Sequence, residues 1–387
     1  MAMFLSPPDE YDNRVGRARA LMRRHGLDGL IVTDPVNYSY FTGHKVASWM
    51  RSRPAIFVLP LTGEPALICW SGPEMFARLY KQPFPSWVTD RRIYPEVPFT
   101  EAPRVDWGIA DVLKERGLSS GKLGIELGRE VWLGIAVNDF DLLRETLPRA
   151  TFVDSSDVIW GCRLVKSEWE IECMRKACAI GGRAWQRAFE ELRPGIKATE
   201  VQRKVLDYYF DEGGDLTSEP PMVMGSTGPN RTFQAGDILY IDGGANFCGY
   251  KMDYARRAVF GPASSRQRAE HDGMWGILHE LIERMKPGVS MRELFEFSQR
   301  CLARHPEWQN YSDHPSKRIG HGIGLENEPP SISATDDAVL QVGMALTPEP
   351  KIETVEGLLN PEEHVVIREG GCEILSSVSD WRLFQVM

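Results

Sequence analysis

The chain has 387 residues, 42% of them hydrophobic and 26% charged, which is enough apolar material for folded cores and too little for a membrane protein. At roughly 100–200 residues per domain, two domains are expected. No apolar run reaches the length of a membrane span, and the net charge of -9 argues against nucleic acid as a partner.

The opening Met1-Ala2-Met3-Phe4-Leu5-Ser6-Pro7-Pro8 lacks a basic stretch followed by a long apolar one, so no secretory leader and a cytoplasmic location are expected. Seven scattered cysteines without a Cys-x-x-Cys pair fit reduced thiols in the same compartment. Val15, Ala18, Leu21 and Met22 recur at helical spacing and predict a helix over residues 10–25. Leu30-Ile31-Val32 reads as a short buried strand, with further strands expected over 55–59, 66–69, 123–125 and 152–153. Helices are expected over 73–80, 107–115 and 134–146. This alternation implies an α/β layer structure.

The pattern changes near residue 160. Ser167 with Glu170 three residues on is a capping box, opening a helix that Pro194-Gly195 stops. A second helix is expected over 199–211, then strands over 238–244, 250–260, 344–348 and 364–367, and helices over 264–286 and 291–304. Helices first and strands later suggest α+β. The expected domains are therefore 1–160 and 161–387.

The residues that carry chemistry lie in the second half. Asp242 ends the apolar run Ile238-Leu239-Tyr240-Ile241, and Asp253 follows beyond Gly243, Gly244 and Gly249. Two strands of one hairpin can bring the two carboxylates side by side, where they cannot both ionise cheaply without a cation. The alternative is that each Asp caps a turn, its commoner role beside Gly. His321 sits among Gly320, Gly322 and Gly324, either as an ordinary loop histidine or as a group a ligand can approach closely. Glu349 lies between Pro348 and Pro350 at the end of an apolar strand, and Glu362 precedes another. Taken together, four carboxylates and one imidazole suit a pair of divalent ions such as Mn, Fe, Co or Zn. Two such ions can share a hydroxide and polarise a carbonyl.

The order of these segments resembles the pita-bread metallopeptidases: prolidase, aminopeptidase P, methionine aminopeptidase and the related creatinase. The matching stretches are Ile241-Asp242-Gly243-Gly244 through Asp253 with Arg256, Gly320-His321-Gly322-Ile323-Gly324-Leu325-Glu326, Gly343-Met344 through Glu349-Pro350, and Glu362 through Gly371. Lys166-Ser167 with Glu170-Ile171 resembles the start of the family's first catalytic-domain helix. The resemblance implies an α+β chain, with a pita-bread catalytic domain preceded by an α/β creatinase-type N-terminal domain. It implies two divalent metal ions. Asp242 would hold one of them through both oxygens, Asp253 and Glu362 would bridge, and His321 and Glu349 would complete the second. Glu349 would also take the proton of the attacking bridging water. Glu363 is the alternative to Glu362 as a ligand.

Three departures from the family pattern stand out. The segment Gly225-Ser226-Thr227-Gly228-Pro229-Asn230-Arg231-Thr232 lacks the histidine that peptidases carry before the first metal Asp. A second histidine is absent after His321, where Glu328 either replaces it or matches the following Glu across a one-residue deletion. Asn360 stands where prolidase and aminopeptidase P usually have Arg. Candidate replacement proton donors are His314, His364 and Glu328, although His314 reads equally as a surface loop residue and His364 as one pointing outward. Relatives of this type are usually homodimers in which the N-terminal domain of one subunit reaches the other's site. Trp49, Arg51 and Arg53 match that region and suit an anionic substrate. The resemblance thus implies a hydrolase of a C–N bond in a small amide or an Xaa-Pro dipeptide. The alternatives are a creatinase-like amidinohydrolase, a lyase of a sulfonium acid's C–S bond, and an inactive binding module.

Overall fold

Strands Gly29–Val32 and Ile56–Pro60 are buried at every position, as apolar runs covered on both faces must be. They form the centre of a six-stranded sheet in a computed structural model that describes residues 6–45, 53–95, 104–224, 231–310, 318–355 and 357–387. The strand order is Asp90–Tyr94, Ala66–Trp70, Ile56–Pro60, Gly29–Val32, Lys122–Ile125 and Thr151–Asp154. Gly29–Val32 pairs antiparallel with Ile56–Pro60 and parallel with Lys122–Ile125, so the sheet is mixed. This sheet belongs to the first of two compact units, Met1–Arg163 and Leu164–Met387. Helices Pro8–His25, Pro35–Thr42, Ile109–Glu115, Val137–Thr146 and Ser156–Arg163 accompany it.

The helix Pro35–Thr42 was not among the expected elements, although its start is written locally. Asp34 accepts hydrogen bonds from the backbone of Val36 and Asn37, and Pro35 occupies the first turn. Just before it, the buried Glu126 carboxylate accepts from Thr33 N at 2.6 Å and Asp34 N at 2.8 Å. Burial pushes that carboxyl up to about 7.

The second unit opens with helix Glu168–Glu190, and both bonds of the Ser167–Glu170 capping box are present. Its apolar stripe packs on helix Ala198–Asp211 and on the hairpin strands Asn246–Phe247 and Tyr250–Lys251. Gly181 allows a close approach there: a Cβ on it would lie 1.8 Å from Met252 Sδ, and the methionine side chain would have to shift. Trp185 Nε1 donates to Tyr209 Oη at 2.7 Å, and Tyr209 donates to Gly243 O at 2.9 Å. The two helices are thereby tied to the turn that follows Asp242.

Two sheets of this unit carry the site. One has the order Phe384–Val386, Ala255–Phe260, Ile238–Asp242 and Met222–Met224. The other has the order Asn327–Ser333, Arg318–Ile323, Ala345–Pro348, Val365–Arg368 and Gly371–Ile374. A bridge between Ala255 and Glu362 joins the first to the approach of the second. Helices Ser265–Arg284 and Met291–Leu302, each opened by a capping box, pack behind the second sheet. The strand expected over 250–260 is interrupted between Lys251 and Ala255, and Asp253 sits in the break.

One expectation needs correction. The glycine-flanked His321 is not in a loop but inside strand Arg318–Ile323, between two partner strands. The flanking glycines answer to close backbone approach. A Cβ on Gly320 would meet Thr347 O at 2.6 Å, and one on Gly322 would meet Pro329 O at 2.3 Å.

Candidate metal centre

The antiparallel register pairs Asp242 with Ala255, so the last residue of one strand faces the start of the next. Between them the chain turns through Gly243 and Gly244, both with positive φ. A Cβ on Gly244 would also strike Glu219 O at 2.7 Å and the Tyr209 ring at 2.8 Å. The carboxyls of Asp253 and Glu362 act on that of Asp242. Tyr240, two residues earlier on the same strand face, donates its hydroxyl to Asp242 Oδ2 at 3.0 Å. The sequence reading had passed over Tyr240.

His321 comes in from the second sheet. Its Nδ1–H donates to Gly322 O at 2.9 Å, because a carbonyl can only accept. That leaves the Nε2 lone pair directed toward Asp253 Oδ2 at 3.5 Å and Thr347 Oγ1 at 3.3 Å. Burial holds the imidazole below its ordinary pKa, hence neutral, which is the form a metal requires. Ligand atoms of Asp253, His321 and Glu362 all fall within 4.8 Å of one another.

Glu349 follows strand Ala345–Pro348, with its backbone N–H anchored on Ile319 O at 2.9 Å. Its Oε2 receives Lys351 Nζ at 2.9 Å and Asn360 Nδ2 at 3.3 Å. Its charge raises the carboxyls of Asp242, Asp253 and Glu362. For all three, however, burial is the larger cause. Asp242 is pushed up to about 6, and Asp253 and Glu362 well above the usual carboxylate range.

The neighbouring Glu363 has a different environment. Its carboxylate meets Arg256 Nη2 at 3.2 Å and accepts from Ser376 Oγ. It is therefore already compensated, while Glu362 stands among the other acids.

These residues fit a divalent cation. Asp242 Oδ1 and Glu362 Oε2 are buried without a hydrogen-bond partner among the described residues. Crowded carboxylates, buried or half-buried, beside a neutral imidazole have no inexpensive charge state without a cation. Oxygen donors with one nitrogen suit hard to borderline ions.

The other candidates divide. Glu328 is buried in an ion pair with Lys166 Nζ at 2.9 Å and accepts from Leu325 N at 3.2 Å. It lies on strand Asn327–Ser333, opposite Gly322. His364 does not point outward: it is fully buried, and its Nδ1 accepts from Asp253 N at 3.3 Å. Burial lowers its pKa to about 3. Arg53 stacks over the Trp70 ring at 5.4 Å within the first unit. Trp49, Arg51, His314 and the histidine-free segment 225–230 lie outside the described residues. Lys351 was also missed. A lysine two residues beyond a proline-flanked Glu reads as solvated charge, and only the fold shows it turned onto Glu349.

Residues 14–165 match the creatinase/prolidase N-terminal domain, and residues 172–377 match metallopeptidase family M24. The chain is similar to an Xaa-Pro dipeptidase of Pyrococcus horikoshii, 30% identical over 236 residues, which are 58% of this chain and 66% of that protein. It is also similar to an ectoine hydrolase of Halomonas elongata, 27% identical over 397 residues and 95% of each chain. A prolidase from Thermococcus sibiricus has the same fold, with a TM-score of 0.81 at 22% identity over 97% of this chain and 99% of that one. The matched segment covers more than half of the residues and holds every member of the acid-and-histidine cluster, so the chain belongs to metallopeptidase family M24.

Proposed function

We propose that the chain is a two-metal hydrolase that cleaves a C–N bond of a small amide, in the manner of the Xaa-Pro peptidases it resembles. The observation that carries this reading is the cluster of half-buried Asp242 and Asp253 with buried His321, Glu349 and Glu362, in which two acidic oxygens lack partners among the described residues. When bound, the metal ions would polarise the scissile carbonyl and make water a nucleophile near neutral pH.

The protein's own groups supply the rest. Asp253 and Glu362 would hold metal together with His321, whose ligand atoms lie within 4.8 Å of theirs, Asp242 accepts from Tyr240, and His321 presents Nε2 because Gly322 holds Nδ1–H. Glu349 takes the proton of the attacking water, with its Oε2 oriented by Asn360 and Lys351. Glu328 is better read as a positioning residue than as an acid, because Lys166 and Leu325 N already hold its carboxylate. It steadies the turn between the His321 strand and its neighbour.

The test is metal content and turnover after reconstitution with Mn, Co, Fe or Zn, using Xaa-Pro dipeptides and acyl amino acids. Two metals per chain and metal-dependent turnover are expected. Asp253→Ala and Glu362→Ala should lose both by orders of magnitude. Full turnover in either metal-depleted variant would sink the mechanism.

The ectoine hydrolase relative, aligned along nearly the whole chain, supports a second reading within the same reaction class: a non-peptide substrate.

A further inference from the structure

Lys351 is placed oddly for a residue whose only task is to serve a metal site. Its ammonium lies 2.9 Å from Glu349 Oε2 and its side chain is 13% exposed, so it stands against the acidic cluster rather than in bulk solvent. Its charge is felt by both His321 and Glu362. A cation in that position competes with metal for the same carboxylate and repels it. A site built to hold metal alone would bind it better with a neutral residue there. A cation at that point is useful when an anion must be received beside the metals.

The second observation is Asn360. Facing a carboxylate, its amide must present the NH2 group, and Nδ2 does donate to Glu349 Oε2 at 3.3 Å. Its Oδ1 is then left buried, with no hydrogen-bond partner among the described residues, on a side chain only 4% exposed. A buried acceptor in a binding site calls for a donor on the ligand.

We infer that Lys351 and Asn360 form the substrate-recognition element of this site. Lys351 receives a free carboxylate, and Asn360 Oδ1 receives the N–H of the scissile secondary amide. The substrate class is thus a small N-acyl amino acid with a free acid. An Xaa-Pro bond has no N–H and would leave Asn360 unsatisfied. This inference rests on the hydrolase reading and narrows its substrate.

The experiment uses the metal-reconstituted full chain and three probes: acetylglycine, its carboxamide acetylglycinamide, and acetylsarcosine, which lacks the amide hydrogen. Affinities are read by calorimetry and metal stoichiometry by elemental analysis. Wild type should bind acetylglycine roughly tenfold to a hundredfold more tightly than acetylglycinamide, the range of a charge-assisted hydrogen bond. Lys351→Met should lose that preference while keeping its metal, and Lys351→Arg should retain it. Asn360→Leu should lose the preference for acetylglycine over acetylsarcosine. A carboxylate preference that survives Lys351→Met overturns the inference. So does loss of metal in Lys351→Met, which would make the lysine an organiser of the ligand cluster. So does equal binding of the three probes by metal-loaded wild type. A wild type that takes up no metal at all defeats the hydrolase reading itself, and shows this before any probe is added.

Discussion

Glu362 and Glu363 are adjacent in sequence and opposite in circumstance. Glu363 is matched by the buried guanidinium of Arg256, which also donates to Ser376 O at 3.0 Å and Ser379 O at 2.9 Å. Glu362 is surrounded by like charges. Their amides should therefore behave in opposite ways. Glu363→Gln leaves a buried cation without its counter-charge and should cost about 3–5 kcal/mol of stability. Glu362→Gln relieves repulsion, so the metal-free protein should be no less stable, yet metal binding should fall by orders of magnitude. Denaturant unfolding of the stripped proteins and metal titration of each would check both halves. If Glu363→Gln lost the metal and kept its stability, the two residues would have to exchange roles. At this scale the sequence was informative through order and spacing; with 54 Asp and Glu in the chain, residue type alone singles out none of the acids. Tyr240, Thr347 and Lys351 were not legible, because a residue that only touches a ligand has no type of its own. The choice between neighbouring glutamates depends on Arg256, more than one hundred residues away.

The long helices of the second unit were legible because they carry their boundaries locally, whereas the eight-residue helices Pro35–Thr42 and Ser156–Arg163 were too short to show a periodic apolar stripe. The three capping boxes at Ser167, Ser264 and Ser290 sit at helix starts within a residue or so of those expected. Strands fared worse where function dictated composition. Arg318–Ile323 contains two glycines, and Asn327–Ser333 contains two prolines, so both resemble loops. The prolines are tolerated because that strand is at the edge of its sheet. The glycines are there because carbonyls of the neighbouring strands lie within 3 Å of where a Cβ would go. Gly322→Ala should therefore force the strand off Pro329 and turn the His321 ring. An expected loss of about 1–3 kcal/mol would accompany a weaker metal site, visible as a lowered melting temperature and a reduced metal affinity in the same sample. A variant that bound metal normally would show that the strand spacing does not position His321.

The five acid and histidine residues come from four separated segments, and the frame behind them also stores titration energy. His271 packs against both Trp275 and Trp381, donates Nε2–H to Trp381 O at 3.1 Å, and feels the charges of Arg257 and Arg256. Burial first, then those arginines, lowers its pKa from 6.5 to about 3. The fold thus holds the neutral ring, while the unfolded chain takes up a proton below 6.5. Its stabilising contribution is whole above pH 6.5 and is lost as pH falls toward 3, at about 1.4 kcal/mol per pH unit. His271→Phe should flatten the acid limb of the stability–pH curve by up to one proton between these limits. An unchanged slope would mean that the ring is already charged in the fold.

Gly181 faces Met252 across the core, and Met252 is the residue before Asp253. The inner face of a helix therefore packs on the side chain that precedes a carboxylate of the acid cluster in sequence, without contributing a ligand. Metal affinity should therefore respond to core volume as well as to the ligands themselves. It can drift through neutral-looking substitutions on the helix Glu168–Glu190, while every ligand position in the sequence stays the same.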